Sequence, residues 1–135
     1  MSSTQPTRCQ GVRGAITADE NTTEAILSAT REMLNALVAA NGIEAADIGG
    51  VYLTTTVDLN AEYPAVAARQ IGWSDVAILC GHEMDVPGSL PRVIRAMVMW
   101  NTTRAPHEIH HMYLRDAQQL RPDRAQHGHI TQPAT

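Results

Sequence analysis

The apolar residues of the chain change period several times along its length. Between Glu24 and Asn41, Ile26, Leu27, Met33, Leu34, Leu37 and Val38 recur at the intervals of one helical face. Asn21 with Glu24 three residues on reads as a capping box that starts this helix, and Asn41-Gly42 as the signal that ends it. Elsewhere the apolar runs are short and rich in branched residues. Gln10 to Thr17, Val51 to Val57, Val76 to Leu79, Val93 to Met99 and Ile109 to Leu114 predict strands. Pro64 opens a short helix that runs to Ile71, at the position where a missing N–H costs least, and Arg115 to Asp123 predicts a helical turn stopped by Pro122. The order β-α-β-α-β-β-β predicts an α+β domain, a mixed β-sheet with two helices on one face. Residues 1–9 read as a flexible polar lead, 10–124 as one domain, and 125–135 as a polar tail expected to be mobile.

A chain of 135 residues with 44% hydrophobic content buries one core without needing staples. The net charge of -4, with basic residues scattered along the chain, points away from nucleic acid and from anionic membrane surfaces. Cys9 and Cys80 make no disulfide framework, and the polar start Met1 to Gln5 lacks the apolar stretch of a signal peptide. No apolar run approaches the roughly 18 residues of a membrane span. These features predict a soluble cytoplasmic protein. All ten basic residues are arginines. The absence of lysine excludes Schiff-base chemistry and the phosphate-loop lysine, and any anion site must use the planar fork of Arg, which suits two-point contact with carboxylates.

The stretch Cys80 to Arg95 joins two apolar runs through a turn rich in Pro and Gly. Arg95 sits inside the second run, between Ile94 and Ala96, where a buried guanidinium is costly unless it meets an anion. That anion is either a ligand or an internal acid such as Glu83 or Asp85. Arg13 lies between Gly11-Val12 and Gly14, where the backbone can come close to a ligand, although a solvated arginine at a strand end is the plainer reading. Arg69, on the short helix, read alone is a solvated surface residue. Several motifs fail. His82-Glu83 begins like a zinc-protease helix, but Val86 stands where the second histidine is required and Pro87-Gly88 breaks any helix. His107, His110, His111, His127 and His129 lack supporting ligand spacing, so no metal site is expected. A Cys80 thiolate nucleophile has no obvious base. No Gly-x-Ser-x-Gly motif and no dinucleotide fingerprint occurs.

Arg13, Arg69, Arg95 and Arg121, with Glu83, Cys80 and Tyr113, form an ordered set spread over the chain. Around them stand Gly11-Val12-Arg13-Gly14-Ala15, Asn21-Thr22 with Glu24, Thr56 to Ala65 with Ala68-Arg69, Cys80 with Glu83 to Val86, Ile94-Arg95, and His111 to Leu114 with Leu120 to Asp123. In these blocks, from Gly11 to Asp123, the chain resembles the monofunctional chorismate mutases of the AroH class. The resemblance implies an isomerase that rearranges chorismate to prephenate on the route to Phe and Tyr, without metal or cofactor. It also implies a homotrimer, a pseudo-barrel assembly with active sites between subunits.

By the same resemblance, Arg95 faces the ether oxygen of the substrate, and Arg13 and Tyr113 bind its side-chain carboxylate. Glu83 accepts from the ring hydroxyl with Cys80 beside it. Arg69 and Arg121 meet the ring carboxylate, and Tyr63, Ala65 and Leu120 wall the ring. Tyr63 stands where the best-known member has Phe, Val66 where it has Lys, and Gln70 to Trp73 is one residue shorter. A different class of function, a non-catalytic trimer that senses a dicarboxylate metabolite, would use the same arginines for binding alone.

Overall fold

The computed structural model of the chain describes residues 5–122; the tail expected to be mobile and the first four residues of the polar lead lie outside them. The strands are β1 (Arg8–Thr17), β2 (Ile48–Thr55), β3 (Ile78–His82), β4 (Val93–Thr102) and β5 (Met112–Tyr113), and the helices are α1 (Thr23–Asn41) and α2 (Ala65–Gln70). Short 3-10 turns occupy Ala45–Asp47, Pro106–Glu108 and Arg115–Leu120. The strand order in the sheet is β3-β2-β4-β1-β5. Central β4 runs antiparallel to both its neighbours, and β2 with β3 and β1 with β5 are parallel pairs. A parallel pair needs a crossover, and α2 lies on the one between β2 and β3.

In β4 the burial alternates strictly from Ile94 onward. Ile94, Ala96, Val98 and Trp100 enter the core, while Arg95, Met97, Met99 and Asn101 face the other way. Alternation of this kind means that along β4 one face of the sheet is covered and the other is bare; at the β1–β5 edge the second face is covered as well, where Ala117 and Leu120 pack on Ala15 and Tyr113. The covered face packs Val12, Ile16, Leu53 and the β4 residues against Ile26, Met33, Leu34 and Leu37 of α1. The helix comes close because Gly14 faces it: a Cβ there would lie 2.9 Å from Leu37 Cδ1 and 3.1 Å from Met33 Cγ.

Several boundaries differ from those expected. The N-cap of α1 is Thr22, extended at φ -134 and ψ 159, whose hydroxyl accepts from the Ala25 N–H at 3.1 Å. Asn21 instead ties down the distant loop, accepting from the N–H groups of Asn60 and Ala61, each at 3.0 Å. The helix ends at Gly42 in the left-handed region, φ 77, as the Asn41-Gly42 signal predicts. Strand β1 starts at Arg8 rather than Gln10, because β4 continues past Met99 and pairs Thr102 with Arg8 and Asn101 with Cys9. Strand β2 occupies Ile48–Thr55, and β3 extends through Cys80 to His82, residues read from sequence as loop. Strand β5 shrinks to Met112–Tyr113 because Pro106–Glu108 turns and Ala105 N–H donates to Glu108 Oε1 at 2.8 Å.

Buried Asn41 joins the end of α1 to the segment before β5. Its amide donates to Leu37 O at 3.0 Å and His110 O at 2.9 Å, and its oxygen accepts from His110 N at 2.8 Å. Replacement by Ala would strand the His110 backbone groups. Asn41→Ala should lower the unfolding free energy by about 2–3 kcal/mol, read from urea titration, with the native secondary structure retained.

Candidate active site

The bare face of the sheet carries a single row of neighbours running across all five strands. Tyr113 pairs with Ala15, Ala15 with Arg95, Arg95 with Thr54, and Thr54 with Gly81. Neighbouring strands lie about 4.8 Å apart, so the row is a straight line of side chains at fixed spacing. The adjacent row on the same face is Arg13, Met97, Tyr52 and Leu79. Small residues open space in both directions. Ala15 lies between Tyr113 and Arg95, and the absent side chain of Gly81 is replaced by the Tyr52 hydroxyl, 2.6 Å from where a Cβ would stand.

Glu83 joins this row from just beyond β3. Its N–H donates to Thr55 O at 2.8 Å, which prolongs the parallel ladder by a step and turns its side chain toward Arg95. Arg13, Ala15, Tyr52, Thr54, Glu83, Arg95 and Tyr113 line one cleft of about 190 Å³. In it Arg95 Nε approaches Glu83 Oε2 only to 3.9 Å, and the two side chains are 45% and 31% exposed. Glu83 Oε2 accepts instead from the Thr54 hydroxyl. The Arg13 N–H donates to His111 Nδ1 at 2.9 Å, so the ring nitrogen facing it is the unprotonated one.

The start of β4 is clamped, and this fixes where Arg95 emerges. Arg92 takes φ 54, a left-handed conformation that a non-glycine residue holds only under constraint. The constraint is visible: Arg92 N–H donates to the Asp58 carboxylate at 3.0 and 3.3 Å, and Arg92 Nε donates to Ala18 O at 3.1 Å. Val93 and Thr56 exchange bonds next to it, Val93 N–H to Thr56 Oγ1 and Thr56 N–H to Val93 O, both 3.0 Å.

Of the residues singled out from sequence, Arg95, Glu83, Arg13 and Tyr113 come together in this cleft. Cys80 does not stand beside Glu83 within the chain. Three residues apart in extended backbone, the two side chains leave opposite faces, and Cys80 packs against the helix-side core. It lines a second cleft of about 400 Å³ with Tyr63, Glu62, Leu59 and His82. Tyr63 is 70% exposed there. Arg69 is exposed on α2, and Ala65 is buried in the main core, outside both clefts. Leu120 packs on a small cluster of Ala15, Tyr113 and Ala117 at the edge of the Arg95 face, and Arg121 follows it, half-buried. Sequence reasoning missed Thr54 and Tyr52. Each lies two residues from the next on a strand that alternates, a sign that they share a face, but their facing Arg95 depends on register. Among the described residues no three His, Cys, Asp or Glu side chains are grouped to hold a metal ion.

A family described as Chorismate mutase type I matches residues 9–124. The chain is 50% identical over 115 residues to Chorismate mutase AroH of Thermus thermophilus, covering 84% of this chain and 94% of that one. It is 38% identical over 115 residues to the enzyme of the same name from Bacillus subtilis, covering 84% and 91%. Among solved structures, a chorismate mutase from Clostridium thermocellum superposes with a TM-score of 0.80 at 41% identity, over 82% of this chain and 98% of that one.

The clamp on Arg92 has a measurable cost when it is released. Asp58→Ala removes the acceptor of a backbone N–H held in left-handed geometry, and should destabilise the fold by about 1–2 kcal/mol in chemical denaturation while leaving its far-ultraviolet dichroism unchanged.

Proposed function

The chain belongs to the chorismate mutase type I family, and we propose that the cleft around Arg95 is the half of the active site that carries the chemistry. The enzyme is an isomerase that converts chorismate to prephenate. In that reaction one ether C–O bond breaks and one C–C bond forms within the same molecule, so no proton, electron or group is exchanged with the protein. Two demands remain. The substrate must be held in a compact pose that brings the bonding carbons together, and the ether oxygen must be stabilised as it gains negative charge.

Arg95 meets the second demand. The observation that carries this assignment is the loose contact with Glu83: at 3.9 Å, and with Glu83 Oε2 occupied by Thr54, the acid does not close on the guanidinium. The cation is therefore left to a ligand. A full unit charge at about 4 Å is worth roughly 4 kcal/mol at an effective dielectric of 20, so a developing partial charge gains about 2 kcal/mol or more. Arg13 and Tyr113, on neighbouring strands of the same face, hold the side-chain carboxylate and so fold the substrate toward its ring. Glu83 accepts from the ring hydroxyl. Arg121 stands near the ring carboxylate, and Leu120 contributes a wall.

Arg69, Tyr63, Ala65 and Cys80 lie on or behind the helix side, where they cannot reach the Arg95 of their own sheet face. The bare face also holds Tyr52, Leu79, Met97 and Met99, with Leu79 72% exposed. An apolar sheet face of this extent is covered in a working protein. Three copies packing these faces inward as a pseudo-barrel would cover it, and would set the Tyr63 and Cys80 cleft of one copy against the Arg95 cleft of the next. Arg69 then reaches the ring carboxylate across the interface, and Tyr63 walls the ring, while Ala65 stays in the core behind it. The enzyme works in the cytoplasm as this homotrimer.

Loss of the ultraviolet absorbance of the chorismate ring diene reads the activity directly. Arg95→Ala should lower kcat by about a hundredfold or more, since it removes a charge aimed at the transition state, whereas Arg69→Ala should chiefly raise KM. An effect of Arg95→Ala on KM alone would reverse these roles. Leu79→Asp should convert the trimer to monomers in sedimentation and abolish turnover while secondary structure persists; a monomeric wild type would refute the shared site.

A further inference from the structure

We propose that Thr54 is a positioning residue for the reaction, one that keeps Glu83 and Arg95 apart so that both remain available to substrate. The proposal rests on the reading of the Arg95 cleft given above. Thr54 is the direct cross-strand neighbour of Arg95 and sits one step along the row from Gly81, beyond which Glu83 turns inward. It thus lies between a cation and an anion on one sheet face. Its side chain is buried, 6% exposed, and its hydroxyl donates to Glu83 Oε2.

An arginine and a glutamate this close would ordinarily close into a two-point pair with parallel N–H to oxygen bonds. Here they stop at 3.9 Å. The hydroxyl of Thr54 supplies the hydrogen bond that Glu83 would otherwise take from Arg95. One carboxylate oxygen is anchored on β2, and the other is left to face the cleft. The consequence is a division of roles: Oε2 holds the side chain in place, Oε1 receives the substrate hydroxyl, and the Arg95 fork stays open to the ether oxygen. Without the Thr54 hydroxyl, Glu83 would swing onto Arg95 and each would neutralise the other. Thr54 needs no contact with the reacting atoms to matter.

A hydroxyl-free side chain of the same shape isolates this effect. Thr54→Val should lower kcat/KM by about tenfold or more, the range expected for losing one hydrogen bond to a charged group, with the fall mainly in kcat. Thr54→Ser, which restores the donor, should recover most of the activity. In a Glu83→Ala background, where there is no carboxylate to hold, Thr54→Val should add no further loss. Equal penalties in both backgrounds would mean that Thr54 acts through packing, and would overturn the proposal, as would full activity of Thr54→Val. Absence of chorismate turnover by the wild-type trimer would instead refute the reading beneath it, so the two failures are separable.

Discussion

The structure turns on one arrangement: a guanidinium planted in the central strand of a sheet whose α1 face is fully covered and whose other face is covered at the β1–β5 edge but open at β4. Strand β4 serves two purposes with one pattern. Its residues Ile94, Ala96, Val98 and Trp100 build the core, and the positions between them present Arg95, Met97 and Met99 to the bare side. Moving the register of β4 by one residue would bury Arg95 among α1 side chains and expose the core row, a loss of several apolar burials together with an uncompensated charge. The same apolar burial that holds the sheet together therefore fixes the direction of the cation. Fold and site share one constraint.

Under that constraint, the contacts around Arg95 are anchored on backbone groups. The Arg92 turn is held by Asp58 and Ala18, Glu83 is led into place by the ladder bond to Thr55, and the Arg13 N–H is met by His111. Each of these uses a backbone N–H or C=O as one partner. The Arg95 guanidinium remains unspent because Glu83 is held at a distance.

Much of this was legible in the residues, and the rest was hidden for identifiable reasons. The face of α1 could be read because six apolar residues repeat at helical spacing, and Gly42 ends the helix where a left-handed residue was called for. The oddity of Arg95 could be read because a charge interrupts an apolar run. The cap at Thr22 was missed because Asn21 and Thr22 are both good caps, and only the distant loop at Asn60 decides which is free. The role of Thr54 was missed because it depends on the register between β2 and β4, a long-range fact that no local pattern encodes. The position of Cys80 is a different case. Once β3 is known to run to His82, alternation alone sends Cys80 and Glu83 to opposite faces; the error lay in ending the strand too early.

A sheet is a suitable base for this reaction because nothing in the reaction has to move except the substrate. Enzymes that pass protons or form covalent intermediates need groups that change state during turnover, and they often place them on loops. A rearrangement within one molecule asks instead for charges and walls that stay where they are while bonds exchange between them. Cross-strand neighbours on a twisted sheet give that fixity at regular spacing, and the row Tyr113, Ala15, Arg95, Thr54 uses it side by side. What a single sheet cannot give is enclosure, since its bare face is open and the pocket beside Arg95 is small and half exposed. Enclosure must come from a surface facing the row. In a chain of this size, whose helices are already committed to the opposite face, another copy of the same chain is the most economical source of it.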